Sequence, residues 1–341
     1  MTQNRTEQNR TEQNRTEQNR TEIILNVWKS SPNKWLFLCR AFAKIFRRYS
    51  LTKPLSIFWM KSYDNYIDKF LRKNFGQIIT TDYSKLPTEN GAKIVWSIWL
   101  QGEENAPELV QKCFESQRIM AKNIGFEHIA LSLETLANYL EIPQYILEKY
   151  QAGKIIHAHF SDYIRDKLMY EHGGIWLDAT CFAYKDLDPA IVTDFDFWNA
   201  KNIKISGIIS GIHGDILSYY QTNIIAARKG SHLYLAMCQM FEKYFAKENY
   251  VSIVYFYMFY FYRLLTTENL EFVKGYHKIP DNNIETSSWK TASSSQFQEI
   301  LARDTCIYKL THKQNITPYD EFGNLTFYGE LLAGKGLLEQ V

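Results

Sequence analysis

The chain has 341 residues, a formal net charge of +2, 45% hydrophobic residues and 22% charged ones. That length can bury a sizeable core, as one large α/β domain with an appended segment or as two smaller domains. The near-neutral balance leaves no global basic field for nucleic acid, and five scattered cysteines without a Cys-x-x-Cys pair or a Cys/His cluster read as reduced thiols in a cytoplasmic protein.

The chain opens on four copies of Gln-Asn-Arg-Thr-Glu, residues 3 to 22. Nothing in this unit builds a core, so residues 1–22 are expected to be disordered or a frayed helix. A tandem ACAGA tract read in frame encodes this peptide, which suggests a slippage-prone gene whose expression switches on and off as copies change. The polar start is not a signal peptide, and no apolar run reaches the about 18 residues of a spanning helix.

Residues 23–85 are basic and aromatic. From Lys29 to Lys73 eleven Lys and Arg face only Asp64 and Asp68, a local balance of +9 that leaves −7 for the remainder. Trp35, Leu36, Leu38, Phe42, Ile45 and Phe46 recur at helical spacing among Lys34, Arg40, Lys44, Arg47 and Arg48. The pattern fits an interfacial helix drawn to anionic lipid. It also fits an amphipathic helix packed on the body with its charges solvated.

Residues 93–99 read as a buried strand, and Pro107 starts a helix. Residues 126–133 read as a second strand, followed by helical stretches to about Gln151. This rhythm argues for a mainly parallel sheet covered on both faces, with its ligand site at the carboxyl ends of the strands. The longest apolar run, Val251 to Tyr262, is too short to span a bilayer and reads as a buried helix or strand.

The densest chemistry lies between Ser161 and Thr180. Ser161 is expected as an N-cap, Phe160, Ile164 and Leu168 share a helical face, and Gly173 and Gly174 end the helix. Residues 175–177 then form a short strand with Asp178 at its carboxyl end. Asp162 and Arg165 are three apart and share one face of the helix's first turn. The carboxylate can accept hydrogen bonds from a ligand, and the guanidinium fork can hold a phosphate or hydroxyl. Equally, the pair can be a capping carboxylate and a surface ion pair of little worth. Asp178 offers hard oxygens to Mg²⁺ or Mn²⁺, or forms a turn.

The order Ser161-Asp162-x-x-Arg165, Leu168 and Gly173-Gly174-Ile175-Trp176-Leu177-Asp178-Ala179-Thr180 resembles glycosyltransferase family 32 and its capsular polysaccharide synthesis branch. Trp99 to Gly102 followed by Pro107, and Lys309 to Lys313, extend the likeness over about Lys93 to Lys313. The resemblance implies a type A glycosyltransferase fold: α/β, Rossmann-like, a mainly parallel sheet with helices on both faces. Here it would occupy residues 90–341, preceded by the helical basic segment.

The resemblance further implies a nucleotide-sugar donor, such as a UDP-hexose, and transfer with retained configuration to a capsular or lipopolysaccharide glycan. Asp162 would contact the nucleoside, with Trp99 on the same side, and Arg165 the donor sugar or phosphate. Asp178 would be the first acid of an Asp-x-Asp metal motif, and Asn223 would face the donor sugar. His312 would complete the metal or diphosphate site, and Lys313 would hold phosphate oxygens. Thr180 stands where the second acid is expected, a neutral and weaker ligand for Mn²⁺ or Mg²⁺, and the capsular branch shares this form. The expected setting is the cytoplasm, peripheral to the inner face of the plasma membrane. The rivals are a catalytically inactive nucleotide- or glycan-binding protein of this fold, kept open by Thr180, and a membrane-peripheral scaffold.

Overall fold

The computed structural model of the chain describes residues 33–46, 50–201, 219–247, 255–282, 285–287, 292–298, 306–312 and 316–334. The pentapeptide repeats and Lys313 lie outside them. The chain divides into two compact units, Met1–Phe70 with Val251–Tyr257, and Leu71–Tyr250 with Met258–Val341.

In the first unit, helix α1 (Lys34–Phe46) runs antiparallel to the leading half of helix α2 (Lys53–Thr80). Ser56 Oγ donates to the Ala43 carbonyl at 2.9 Å, Phe42 stacks on Trp59 at 4.8 Å, and Asn33 Nδ2 donates to Tyr66 Oη at 2.6 Å. Partners therefore recede along α2 as α1 runs backwards. Pro54 sits in the first turn of α2, where a missing N–H costs nothing. The buried line of α1 is Leu36, Cys39 and Ala43, spaced by three and four. Of the apolar residues expected to recur on one face, Trp35 and Ile45 instead stand 44% and 56% exposed. No helix among the described residues is long and apolar enough to cross a membrane.

The second unit is built on strands β1 (Ile94–Ile98), β2 (Glu127–Leu131), β3 (Gly174–Leu177), β5 (Phe197–Asn199) and β6 (Ile224–Ala227). Their spatial order is β2-β1-β3-β6-β5. β1 is parallel to β2 and β3, and β6 is antiparallel to β3 and β5, so four strands run one way and β6 alone runs back. The expected α/β class with a mainly parallel sheet is what the chain adopts.

Helix α3 (Glu108–Asn123), with Pro107 as its N-cap, links β1 to β2. Helices α4 (Gln144–Gln151) and α5 (His157–Glu171) lead on to β3. Right-handed crossovers in opposite directions along the sheet put these connections on opposite faces. The side chains of β1 agree. Ser97 reaches Gln117 of α3, whereas Trp96 meets Tyr139 and His172.

Helix α5 corrects one expectation. It begins at His157, with Ile156 at the N-cap position, rather than at Ser161. Packing explains the earlier start. Tyr150 stacks on Phe160 at 4.0 Å and meets His157 Nδ1 at 2.7 Å, holding residues 157–160 helical against the body.

Gly173 and Gly174, with φ of 65° and 97°, carry the chain from α5 into β3. A Cβ on Gly173 would lie 2.6 Å from the Ala227 carbonyl oxygen, and one on Gly174 2.6 Å from that of Ile94. The strand enters between β1 and β6 only because both side chains are missing.

The apolar run ahead of Tyr262 continues as helix α7 (Tyr257–Glu268), following α6 (His232–Lys247) and preceding α8 (Leu270–Lys278). Tyr262 stacks on Tyr220 at 3.7 Å and 6°, so this aromatic stretch is core. A smaller sheet has the order β4-β8-β7 (β4, Cys181–Ala183; β7, Glu285–Ser287; β8, Ile307–Lys309). β8 lies antiparallel to β4 in the register Cys181↔Lys309.

Candidate functional site

β3 ends where a ligand site of such a sheet is expected, and the chain turns there at once. The Cys181 N–H donates to the Asp178 carbonyl at 2.8 Å, closing a turn through Ala179 and Thr180 into β4. The backbone of Asp178 makes the turn, and its side chain is left for other work. Trp176 Nε1 donates to Oδ1 at 2.8 Å and Lys309 Nζ to Oδ2 at 2.6 Å, while Arg165 Nη1 stands 3.7 Å from Oδ1.

Arg165 is the hub. It is only 3% exposed, donates from Nη2 to Asp162 Oδ1 at 2.5 Å, holds Nε 3.9 Å from Asp166 Oδ1, and lies 5.7 Å from the Trp176 ring centre. Three carboxylates thus surround one buried guanidinium. This removes the reading of the pair as a cap and a surface ion pair: Asp162 is five residues past the helix start, and Arg165 is not on the surface. Asp162, Asp178 and Lys309 remain partly exposed, and Asp166 is fully buried. Arg165 and Asp166 form a floor beneath a charged rim.

Environment sorts the carboxyls. Burial pushes Asp178 up, but Lys309 and Arg165 outweigh it and hold the group below the usual carboxylate range. Burial raises Asp162 despite Arg165. Asp166, desolvated and only partly relieved by Arg165, is pushed up to about 8. Among the described residues neither of its oxygens has a hydrogen-bond partner.

A buried polar network pins the turn from behind. Ser97 Oγ lies 2.9 Å from the Leu177 carbonyl oxygen and 2.5 Å from Gln117 Oε1, with one proton to share between them. Gln117 Nε2 donates to the carbonyls of Asp178 at 3.1 Å and Cys181 at 2.6 Å. His128 Nε2 closes the group on Gln117 Oε1 at 3.0 Å, and burial lowers this imidazole to about 3, so it stays neutral.

Other expected residues fall around this core. Asn223 precedes β6, its carbonyl accepts the Asp178 N–H at 2.9 Å, and its side chain donates to Gln221 at 3.2 Å. Trp99 follows β1, meets His312 edge-on at 5.2 Å, and has a buried Nε1 without a hydrogen-bond partner among the described residues. His172, expected as a helix C-terminal cation, sits at the C-cap with Nε2 2.8 Å from the Tyr139 carbonyl. Lys309, Trp176, Gln117 and Asp166 are the participants that sequence reasoning missed. Lys309 stood inside the quoted Lys309–Lys313 run with no role, and only the pairing of β8 with β4 reveals one.

The residues expected to hold a divalent ion were Asp178, Thr180 and His312. Asp178's oxygens carry Trp176 and Lys309, Thr180 is 8% exposed and gives its carbonyl to Leu310, and His312 lies against Trp99. Among the described residues no group of three His, Cys, Asp or Glu side chains is placed to hold a metal ion together. A hard divalent cation needs several oxygen ligands, and this arrangement does not fit one as a resident ion.

A profile of the family described as capsular polysaccharide synthesis protein matches residues 47–331, reaching well ahead of Lys93 into the basic front. An uncharacterized glycosyltransferase of Acanthamoeba polyphaga mimivirus is 30% identical over 126 residues, 36% of this chain and 48% of that protein. Glycosyltransferase afumC of Aspergillus fumigatus is 27% identical over 158 residues, 42% of this chain and 38% of that protein. The chain thus spans less than half the length of either relative. The solved PaToxG glycosyltransferase aligns with 63% of this chain and 83% of its own at 14% identity, with a TM-score of 0.29.

Proposed function

The chain belongs to the capsular polysaccharide synthesis protein family, and from that premise we propose that it is a glycosyltransferase whose donor site is the cluster around Arg165. The carrying observation is one buried guanidinium set among Asp162, Asp166 and Asp178 beside a partly exposed lysine, at the carboxyl end of β3. Buried charges of this kind are costly to keep, and they cluster where a charged ligand is handled. The donor is a nucleotide sugar of the UDP-hexose type, and the acceptor is a capsular or lipopolysaccharide glycan.

Asp162 accepts hydrogen bonds from the nucleoside, Trp99 packs against it, and Asn223 faces the sugar. Arg165 steadies the charge that grows on the diphosphate as it leaves. The C1–O bond to the diphosphate breaks with its electron pair going to the phosphate oxygen. The acceptor oxygen forms the new bond on the same face, and its proton passes to the departing diphosphate.

A second reading keeps a divalent ion, Mn²⁺ or Mg²⁺, that arrives on the donor diphosphate. It is favoured by the place of Asp178 at a strand end with Thr180 two residues on. In that reading Asp178, Thr180 and His312 help to hold the ion, and Lys313 meets a phosphate oxygen.

Incubation with a panel of nucleotide sugars, with and without Mn²⁺, should release the nucleoside diphosphate from at least one of them. A folded chain that releases none from any donor supports the inactive binding protein instead. We further infer that the helical hairpin of the first unit rests on anionic lipid. Leu51, Leu55, Ile57 and Phe58 are exposed beside exposed Lys44, Lys53 and Lys61, and no acidic residue lies between Glu22 and Asp64.

A further inference from the structure

Charge matching at the β3–β4 turn singles out Lys309. An Asp-x-Asp pair presents two negative charges and suits a divalent ion. Here Thr180 replaces the second acid, so the turn presents one carboxylate, and one ammonium balances it. Lys309 Nζ sits 2.6 Å from Asp178 Oδ2.

The backbone builds this position. Lys309 is paired in register with Cys181, the residue that follows the turn, and the next N–H, of Leu310, donates to the Thr180 carbonyl at 2.9 Å. The Lys309 side chain is 22% exposed, against 3% for Arg165. A lysine stem is flexible and its three donors turn freely, so Lys309 can move toward an arriving anion while Arg165 stays locked. Burial pushes the Asp166 carboxyl up to about 8, whereas Lys309 and Arg165 hold Asp178 below the usual carboxylate range. Asp178 thus meets two cations before any donor binds, Arg165 Nη1 at 3.7 Å and Lys309 Nζ at 2.6 Å.

We propose that Lys309 is the cation that receives the donor's diphosphate: Asp178 holds its ammonium in the donor-free chain and yields it to phosphate oxygens, so nucleotide binding proceeds without a divalent ion. This rests on the nucleotide-sugar reading above and names which group of the site meets the phosphates.

Calorimetric titration of the purified full chain with UDP, once in EDTA and once in Mn²⁺, tests it. Lys309→Met, Asp178→Asn and the parent are compared, and thermal unfolding controls for folding. The parent should bind UDP in EDTA within roughly threefold of its affinity in Mn²⁺. Lys309→Met should weaken binding in EDTA by about tenfold or more, the worth of a charge-assisted hydrogen bond. Asp178→Asn, which removes the carboxylate charge beside the ammonium, should bind UDP in EDTA at least as tightly as the parent. Two results overturn the proposal while leaving the donor site standing: Mn²⁺ tightening the parent's binding about tenfold, or Lys309→Met binding like the parent in EDTA. If neither UDP nor any other nucleoside diphosphate binds in either buffer, the donor reading fails and this proposal with it.

Discussion

The Arg165 cluster and the helical hairpin of the first unit break the same rule in opposite directions. Around Arg165, charges are inside: the guanidinium is 3% exposed and Asp166 fully buried. In the hairpin, large apolar side chains are outside: Leu51 is 94% exposed and Phe58 59%. Ordinary folding puts apolar groups in and leaves charges out. Each unit also has an ordinary apolar core, Leu36, Cys39, Ala43, Tyr63 and Ile67 in the first and Val95, Trp96 and Ile175 in the second. We place an anion at the charges buried at a cost and a lipid at the apolar side chains exposed at a cost.

The sharpest way to break the comparison is Arg165→Ala. Three carboxylates would lose their shared cation, and removing one partner of a buried ionic group costs about 3–5 kcal/mol. Nucleotide-sugar turnover should fall at least ~100-fold, and Arg165→Lys should restore folding more than turnover because the fork is lost. An Arg165→Ala protein as stable as the parent in thermal unfolding would mean that the cluster is not organised by this residue. Next in size is Gly174→Ala, which forces a Cβ toward the Ile94 carbonyl at a φ of 97°. We expect a loss of about 1–3 kcal/mol, read from denaturant unfolding, and a stability equal to the parent's would contradict the tight entry of β3.

Asp166→Asn sharpens the buried half of the comparison through pH. The Asp166 carboxyl rises from an ordinary value of about 4 to about 8. A raised group stabilises fully below the unfolded value, and that contribution is lost as pH rises through the folded value. The parent should therefore lose stability between pH about 4 and 8 by a route that Asp166→Asn lacks, so their melting temperatures should differ more at pH 8.5 than at pH 5. Parallel pH profiles would show that Asp166 does not titrate in this window. The smallest effect on folding belongs to the exposed half. Leu51→Glu and Phe58→Glu should leave stability within about 0.5 kcal/mol yet reduce co-sedimentation with anionic vesicles several-fold. Unchanged vesicle binding would remove the lipid from the account.

How far the sequence reveals these features follows from distance along the chain. β1, β2 and α3 were readable because apolar runs, Pro107 and spacing are local signals. Asp162, Arg165 and Asp178 were readable as a group only through the family resemblance, since i,i+3 spacing allowed a surface pair as well. The start of α5 was misjudged because a good cap at Ser161 says nothing of Tyr150 packing on Phe160. Lys309, Gln117 and His128 were out of reach for a stronger reason. Lys309 meets Asp178 131 positions away, Gln117 meets it 61 away and His128 lies 3.2 Å from Ser97 Oγ 31 away, and only the pairing of strands and the docking of α3 bring them together. The exposure of Trp35 and Ile45 was likewise hidden, because helical periodicity cannot tell which of two adjacent apolar stripes a partner helix will cover.

The distance between Asp178 and Lys309 also sets a timetable. A ribosome adding roughly 5–20 residues each second emits Lys309 on the order of ten seconds after Asp178, which precedes it by 131 positions. During that interval the nascent chain already holds Ser161 to Thr180 but has no β8 to close the smaller sheet. A polypeptide released early would carry the recognisable run in full and still lack a finished pocket, whereas supplying the β8 segment in trans could complete it.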